Sequence, residues 1–431
     1  MPRCFYRHSA FKGDGYQCDG SDQCWITETE QFGNMPNMES YCIFHAPDDG
    51  LYDPAGLRDD WKKETRGTTQ ASTLRRLLEQ WNAHNAEEQE PVAFLLPGLR
   101  CGHANFRKFT FSGEVIFTDG IFSDGANFHS ATFNKLAEFR KATFSGNPCT
   151  FESAKFKCHA GFHSATFNDF ADFDSVTFSG SAEFRYSTFD NTAHFPSATF
   201  GERAIFADVT FSFLAIFNQA TFCKEASFTN AKFHSEAGFI SSRFEHAPAF
   251  GGASLHQNTD FRGADFLDVE SRDAPPAYRT LKLAMSAVRS RSEEAMFYAL
   301  EQDSLRHQSD TSLPIKLFSF FYKLLANYGR SFVRPLGWLL FVSVAFWFGY
   351  SEVLPTTDTH NGSGAFRLRF TAEQLVRPFN VWTAQGAHQL ENLCSDHIVL
   401  LLQIAASLQS ILSLTLVALF LLAVRRQFKM E

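Results

Sequence analysis

From Phe106 to Phe266 the apolar positions of the chain recur on a fixed beat. Phenylalanine stands at Phe106, Phe111, Phe117, Phe122, Phe128, Phe133, Phe139 and Phe144, and resumes at Phe151, Phe156, Phe162, Phe167, Phe173 and Phe178. It continues through Phe184, Phe189, Phe195 and Phe200. The spacing alternates five and six, so the period is eleven. Two residues before nearly every Phe lies a small residue, as at Ala131, Ala137, Ala142, Ala165, Ala171, Ala193 and Ala198. A threonine precedes the second Phe of many units (Thr132, Thr143, Thr166, Thr177, Thr199, Thr210, Thr221), a residue type suited to an outward β position.

An eleven-residue period also occurs in right-handed coiled coils, where the apolar positions share one face. Here steps of five and six residues rotate by roughly 140° and 240° at ~100° per residue, which scatters the rings around a helix. The units are also rich in Thr, Ser, Gly, Asn and Phe, all poor helix formers. A repeated β turn of the chain is the remaining solution. The composition agrees, because 50 Phe in 431 residues exceeds what an ordinary mixed core uses.

The small-x-Phe-x-x pattern, seen in Ala126-Asn-Phe-His-Ser-Ala-Thr-Phe133 and Ala182-Glu-Phe-Arg-Tyr-Ser-Thr-Phe189, resembles the pentapeptide-repeat family. That resemblance covers residues 104–268 and implies a mainly β fold, a right-handed quadrilateral β-solenoid whose central Phe and preceding small residue point inward. Alternate sides carry one extra residue, as in Phe133-Asn-Lys-Leu-Ala137, giving 22-residue coils built from 11-residue double repeats with bulges at two opposite corners. About seven such coils would stack at the β spacing of ~4.8 Å. Irregularities are an extra residue near Pro148, Leu255 in place of a Phe, and Pro248 in a small-residue slot.

Residues 1–50 carry Cys4, Cys18 and Cys24, then Tyr41-Cys-Ile-Phe-His45. Cys42 and His45 lie on one tight turn, and two upstream cysteines complete a tetrahedral donor set. The expectation is a structural Zn2+ on Cys4, Cys18, Cys42 and His45, with Cys24 as the alternative ligand; packed cysteines are the other reading. Several pentapeptide-repeat proteins look similar here. Met1–Ala10 contains no apolar signal segment, so a reducing compartment is expected for this part. Residues 51–103 form a linker, with the helical stretch Leu74–Trp81 expected to cap the first coil.

Beyond Pro275-Pro276 the period changes. Tyr278, Leu281 and Met285 follow helical spacing, as do Met296, Phe297 and Leu300. Leu317, Phe318, Phe321, Leu324 and Leu325, with Lys316, Lys323 and Arg330, read as an amphipathic helix at a membrane surface, within a 269–331 block of cytosolic or interfacial helices. Residues 332–429 then hold two apolar spans, about 335–354 and 398–424, each long enough for a bilayer core of ~30 Å. Arg330, Arg334, Arg425 and Arg426 flank them, so both termini are expected to be cytoplasmic. Gln403, Ser407, Gln409, Ser410 and Ser413 lie on one side of the second span and serve either as pore lining or as helix-packing residues. Phe370–Trp382 reads as an interfacial or re-entrant helix, or as an outer loop.

The block Tyr328–Trp338, with the closing Arg-Arg-Gln-Phe, resembles bacterial pentapeptide-repeat proteins with a paired-helix tail, some channel-like. The resemblance implies the inner membrane, a lipid bilayer partner and a homo-oligomer. The Thr-Val-Gly-Tyr-Gly filter of potassium channels does not occur. The chain has no phosphate loop, nucleophile elbow or His-Glu-x-x-His, so no catalytic residues are named and an enzyme is not expected. A net charge of -8 without a dense acidic or basic face argues against nucleic acid and against mimicry of it. Two functions remain in competition: an oligomeric membrane assembly around a gated ion-conducting pore, and a tethered scaffold that docks a protein on the solenoid without transport.

Overall fold

The computed structural model describes residues 7–8, 16–17, 79, 94–95, 99–147, 149–353, 363–376, 378–383 and 396–428. They fall into two compact units, Met1–Phe297 and Tyr298–Glu431. The expected zinc ligands lie outside the described residues, as does the Leu74–Trp81 helix apart from Glu79. Arg7–His8 and Tyr16–Gln17 form a short antiparallel pair.

The first unit is a β-solenoid of two-residue strands stacked into four parallel sheets, one of eight strands and three of seven. Register steps by 22 residues, as in Thr110↔Thr132 and Thr177↔Thr199. One coil takes an extra residue, so Thr132 pairs with Lys155 and Ala126 with Cys149. Two sheets are built from Thr-Phe strands and two from Ala-x strands, the alternation that the eleven-residue period encodes. The sheets begin before residue 104, with Phe94↔Val115 and Arg100↔Ile121. There Cys101 takes the slot of a Phe and Leu99 that of the small residue before it, which hides the first coil from a search for phenylalanine.

Inward residues are sealed from solvent: Phe133, Phe162, Phe184 and Ala137 are all 0% exposed. The rings stack along each face, Phe133–Phe156 at 4.5 Å and 2° and Phe162–Phe184 at 4.8 Å and 2°. Neighbouring faces meet edge-on, as at Phe151–Phe162, 5.5 Å and 89°. Each ring therefore gains both favoured aromatic geometries, with about 1.5–3 kcal/mol from burial alone. Ser187 and Ser242 take small-residue slots and satisfy their hydroxyls by donating to the Phe162 and Phe239 carbonyls at 2.7 and 2.8 Å.

The two kinds of corner differ. After the Phe that follows each Ala-x strand, the chain turns through a left-handed residue, at φ between 53° and 59° where it is not glycine, among them Ser130, Lys141, Ser164, Tyr186, Asn230 and Ser241. The turn closes with Ala131 N–H donating to the Phe128 carbonyl at 2.9 Å. The other corners hold the extra residue. At the longer coil Gly146 adopts φ +84°, and a Cβ there would lie 2.7 Å from the Asp124 carbonyl carbon. Glycine is required at that point.

Helix α1, Ala274–Ala287, begins with Pro275 and Pro276 in its first turn, where the missing N–H costs nothing. It is followed by α2, Arg291–His307, and the boundary between the two units falls inside α2. Tyr278 of α1 and Phe297 of α2 close the phenylalanine stacks. Phe297 lies 5.2 Å from both Phe261 and Phe266, edge-on to each, and the Tyr278 hydroxyl donates to the Asp268 carbonyl at 2.5 Å. The helical spacing of these residues marks the very elements that cover the last coil.

The second unit contains the rest of α2 with α3 (Leu313–Ala326), α4 (Val333–Val353), α5 (Ser363–Val376) and α6 (Asp396–Phe428). Asp303 of α2 bonds Lys323 of α3 at 2.6 Å. Helix α3 ends at Asn327 in the left-handed region, which turns the chain toward α4. Helices α4 and α6 are long and apolar enough to cross a membrane, and only 6% and 28% of their apolar windows are buried. A core helix of that hydropathy would be mostly covered.

Candidate functional site

The polar residues singled out on the second span gather on α6, facing α4, α5 and the short turn Asn380–Trp382. The Tyr350 hydroxyl donates to Gln409 Oε1 at 2.9 Å, and Gln409 Nε2 donates to the Thr371 carbonyl at 3.1 Å. Trp382 Nε1 donates to Ser407 Oγ at 2.7 Å. Phe379 N–H donates to Ser410 Oγ at 3.3 Å, while that hydroxyl donates to the Ala406 carbonyl at 2.8 Å. Ser413 is buried with its hydroxyl unpartnered, and Gln403 is half-buried with its backbone carbonyl accepting from Ser407 at 2.7 Å. Ser407, Gln409 and Ser410 thus bond to other elements of the same chain.

These bonds surround an apolar cluster of Tyr350, Phe370, Val381, Val399, Leu402 and Ala406, with Phe346 against it. Within the segment between the spans, the helix α5 is seated on the last two turns of α4 and the first half of α6. Sequence reading left this segment open between helix and loop, because its partners are distant in the chain. The periodic signal that it did carry is Phe370 with Gln374, one turn apart and both buried.

The register sets two levels. Arg334 lies sixteen residues before Tyr350, and Arg425 sixteen residues after Gln409. The two helices run antiparallel, so both arginines fall at one level, ~24 Å along the axis from the Tyr350–Gln409 bond at 1.5 Å per residue. Past α4's last residue, α6 continues with α5 and the Asn380–Trp382 turn beside it among the described residues. Its opposite face carries Leu401, Ile404, Leu408, Ile411 and Leu422, all at least half exposed, with Thr415 and Ala418 between them. These positions repeat at three and four residues, the spacing of a coiled-coil seam.

In the first unit His129, His159, His163, His194 and His234 all point outward, at least partly exposed. His129 Nδ1 meets Glu152 at 3.0 Å and His194 Nδ1 meets Asp172 at 3.2 Å, both across neighbouring coils. Cys149 occupies an inward small slot and burial pushes its thiol up; Cys101 is pushed up to about 12 by burial and the nearby Asp124. Such thiols stay protonated and unreactive. Among the described residues no group of three His, Cys, Asp or Glu is arranged to hold a metal. Compared with protein-family models, curated proteins and solved structures, the chain matches none of them.

Proposed function

We propose that this chain is a non-enzymatic, membrane-anchored scaffold of the pentapeptide-repeat type, held by a two-helix hairpin that self-associates through α6. The observation that carries this reading is the inversion of α6: Gln409 and Ser410 are fully buried while Leu401, Ile404, Leu408 and Ile411 are bare. Water does not tolerate a stripe of that size on a stable monomer. The ~24 Å between the arginine level and the Tyr350–Trp382 level suits the hydrocarbon thickness of a bilayer, with Tyr and Trp at one interface and Arg at the other. By the positive-inside rule the arginine level faces the cytoplasm, and with it both termini.

The overhanging part of α6, with Leu400, Leu401 and Ile404, extends past the α4 end, where lipid no longer covers it. A second copy of α6 supplies that cover. The scaffold reading is favoured over a pore because Ser407, Gln409 and Ser410 already spend their polar groups inside the chain.

Light scattering on the detergent-solubilised full chain tests this. The wild type should be larger than a monomer, and the double variant Ile404→Gln/Leu408→Gln should move toward monomer. A monomeric wild type ends the self-association. Ion flux from liposomes carrying the wild type should not exceed that of empty liposomes; a conductance abolished by Ser413→Leu or Gln403→Leu would restore the pore.

A further inference from the structure

The arginine end of the helix pair holds more positive charge than the described residues neutralise. Between Asp310 and Glu352 there is no Asp or Glu, nor is there any between Asp396 and Glu431. The nearby carboxylate of Asp303 is already engaged by Lys323 at 2.6 Å and Arg306 at 2.8 Å. Arg330 and Arg425 form no side-chain ion pair or hydrogen bond with the described residues, and both are exposed. Arg334 has only the Lys323 carbonyl at the end of α3, accepting at 3.3 Å.

Beside Arg334, whose guanidinium donates to the Lys323 carbonyl, lies α3, which turns outward an unusual set of apolar side chains: Leu313, Ile315, Leu317, Phe318 and Phe321, with Phe318 75% exposed. Three planar cations with free donors next to an uncovered apolar helix match one kind of ligand. It has a phosphate to receive forked hydrogen bonds and acyl chains to cover the rings.

We propose that Arg330, Arg334 and Arg425 form a binding site for the phosphate headgroup of an anionic glycerophospholipid, whose acyl chains lie along the exposed face of α3. The site rests on the hairpin crossing a membrane, and it adds a selectivity that hydropathy alone would not give. A lone phosphate would engage the arginines but leave the α3 face bare. The lipid is therefore the occupant that satisfies both features.

The test uses the full chain reconstituted into vesicles of phosphatidylcholine with or without phosphatidylglycerol, followed by native mass spectrometry of retained lipid. The wild type should retain phosphatidylglycerol in clear preference to phosphatidylcholine. Arg330→Gln, Arg334→Gln and Arg425→Gln should each weaken that preference about fivefold, and the triple variant should bind the two lipids alike. Phe318→Ser/Phe321→Ser should lower retention of both lipids without changing their ratio. Equal retention by the wild type, or full displacement of the lipid by millimolar inorganic phosphate, overturns the site. Failure of the chain to partition into either vesicle overturns the membrane reading itself, a separate result.

Discussion

The solenoid and the helical unit bury opposite things. In the solenoid the interior is phenylalanine and alanine, with a few serines such as Ser187 and Ser242 in small-residue slots, while His129, His159, His163, His194 and His234 face outward. In the helical unit Gln374, Gln409, Ser410 and Ser413 are inside while leucine and phenylalanine cover the outside. The contrast shows two ways of satisfying a chain. The solenoid hides apolar surface from water and pairs its strand backbone with the neighbouring coils and its corners within the coil. The helices satisfy their backbones internally, so their outer face is free to match an apolar surrounding, and polar side chains become the specific contacts that hold helix to helix.

The sharpest way to break this comparison is to cut into the solenoid core. Phe184→Ala should cost about 3–5 kcal/mol, because a ring stacked above and below cannot be replaced by relaxation of neighbours. Hydrogen exchange should show the coils on both sides opening together while α4 and α6 stay protected. An even loss across both units would mean that they do not behave as separate units. Next, Gly180→Ala places a Cβ 2.4 Å from the Cys158 carbonyl carbon, a backbone atom that cannot step aside. It should cost about 1–3 kcal/mol in denaturant titrations of the solenoid amides.

In the helical unit the matching test is Gln409→Leu, which strands the Tyr350 hydroxyl and removes the bond that ties α6 to the Thr371 carbonyl. About 1–2 kcal/mol should be lost, read as faster exchange in α5, and Tyr350→Phe in the same chain should restore part of it. The smallest effects belong to the solenoid surface. Lys141 adopts φ 54°, so Lys141→Gly should stabilise by about 1 kcal/mol.

Burial raises the carboxyl of Glu138, partly offset by His159 and by the Arg140 backbone N–H. The folded state therefore holds that proton more tightly than the unfolded chain, and stability falls as pH rises through the window between the ordinary and raised values. Glu138→Gln should flatten that slope and be the more stable protein at neutral pH. An unchanged slope would show the carboxylate to be solvated after all.

Much of the fold was legible because one spacing carries it. The alternation of five and six fixes which residues point inward, and burial of the Phe and Ala series follows it from Phe106 to Phe266. What the spacing could not reveal is wherever another residue type takes the slot. Leu99 and Cys101 serve the first coil without announcing it. The left-handed corner residues were visible in principle, since Ser130, Ser164, Ser175, Ser197, Asn230 and Ser241 follow their Phe by two and belong to types that turns favour. Their identity varies, with Lys141 and Tyr186 among them, and this blurs the signal. The candidate site was half legible: the polar side of α6 could be read from helical periodicity, but its bonding partners Tyr350, Thr371 and Trp382 could not. Those contacts join segments that no local rule connects.

One feature of the fold bears on how the protein behaves in a crowd of its own copies. A stack of parallel coils ends on a bare sheet edge, and any identical chain arriving there would find its own register already displayed. Such an end is a seed for fibre growth. Tyr278 and Phe297, by turning their rings across the last phenylalanines, cover that end and deny the next molecule a template.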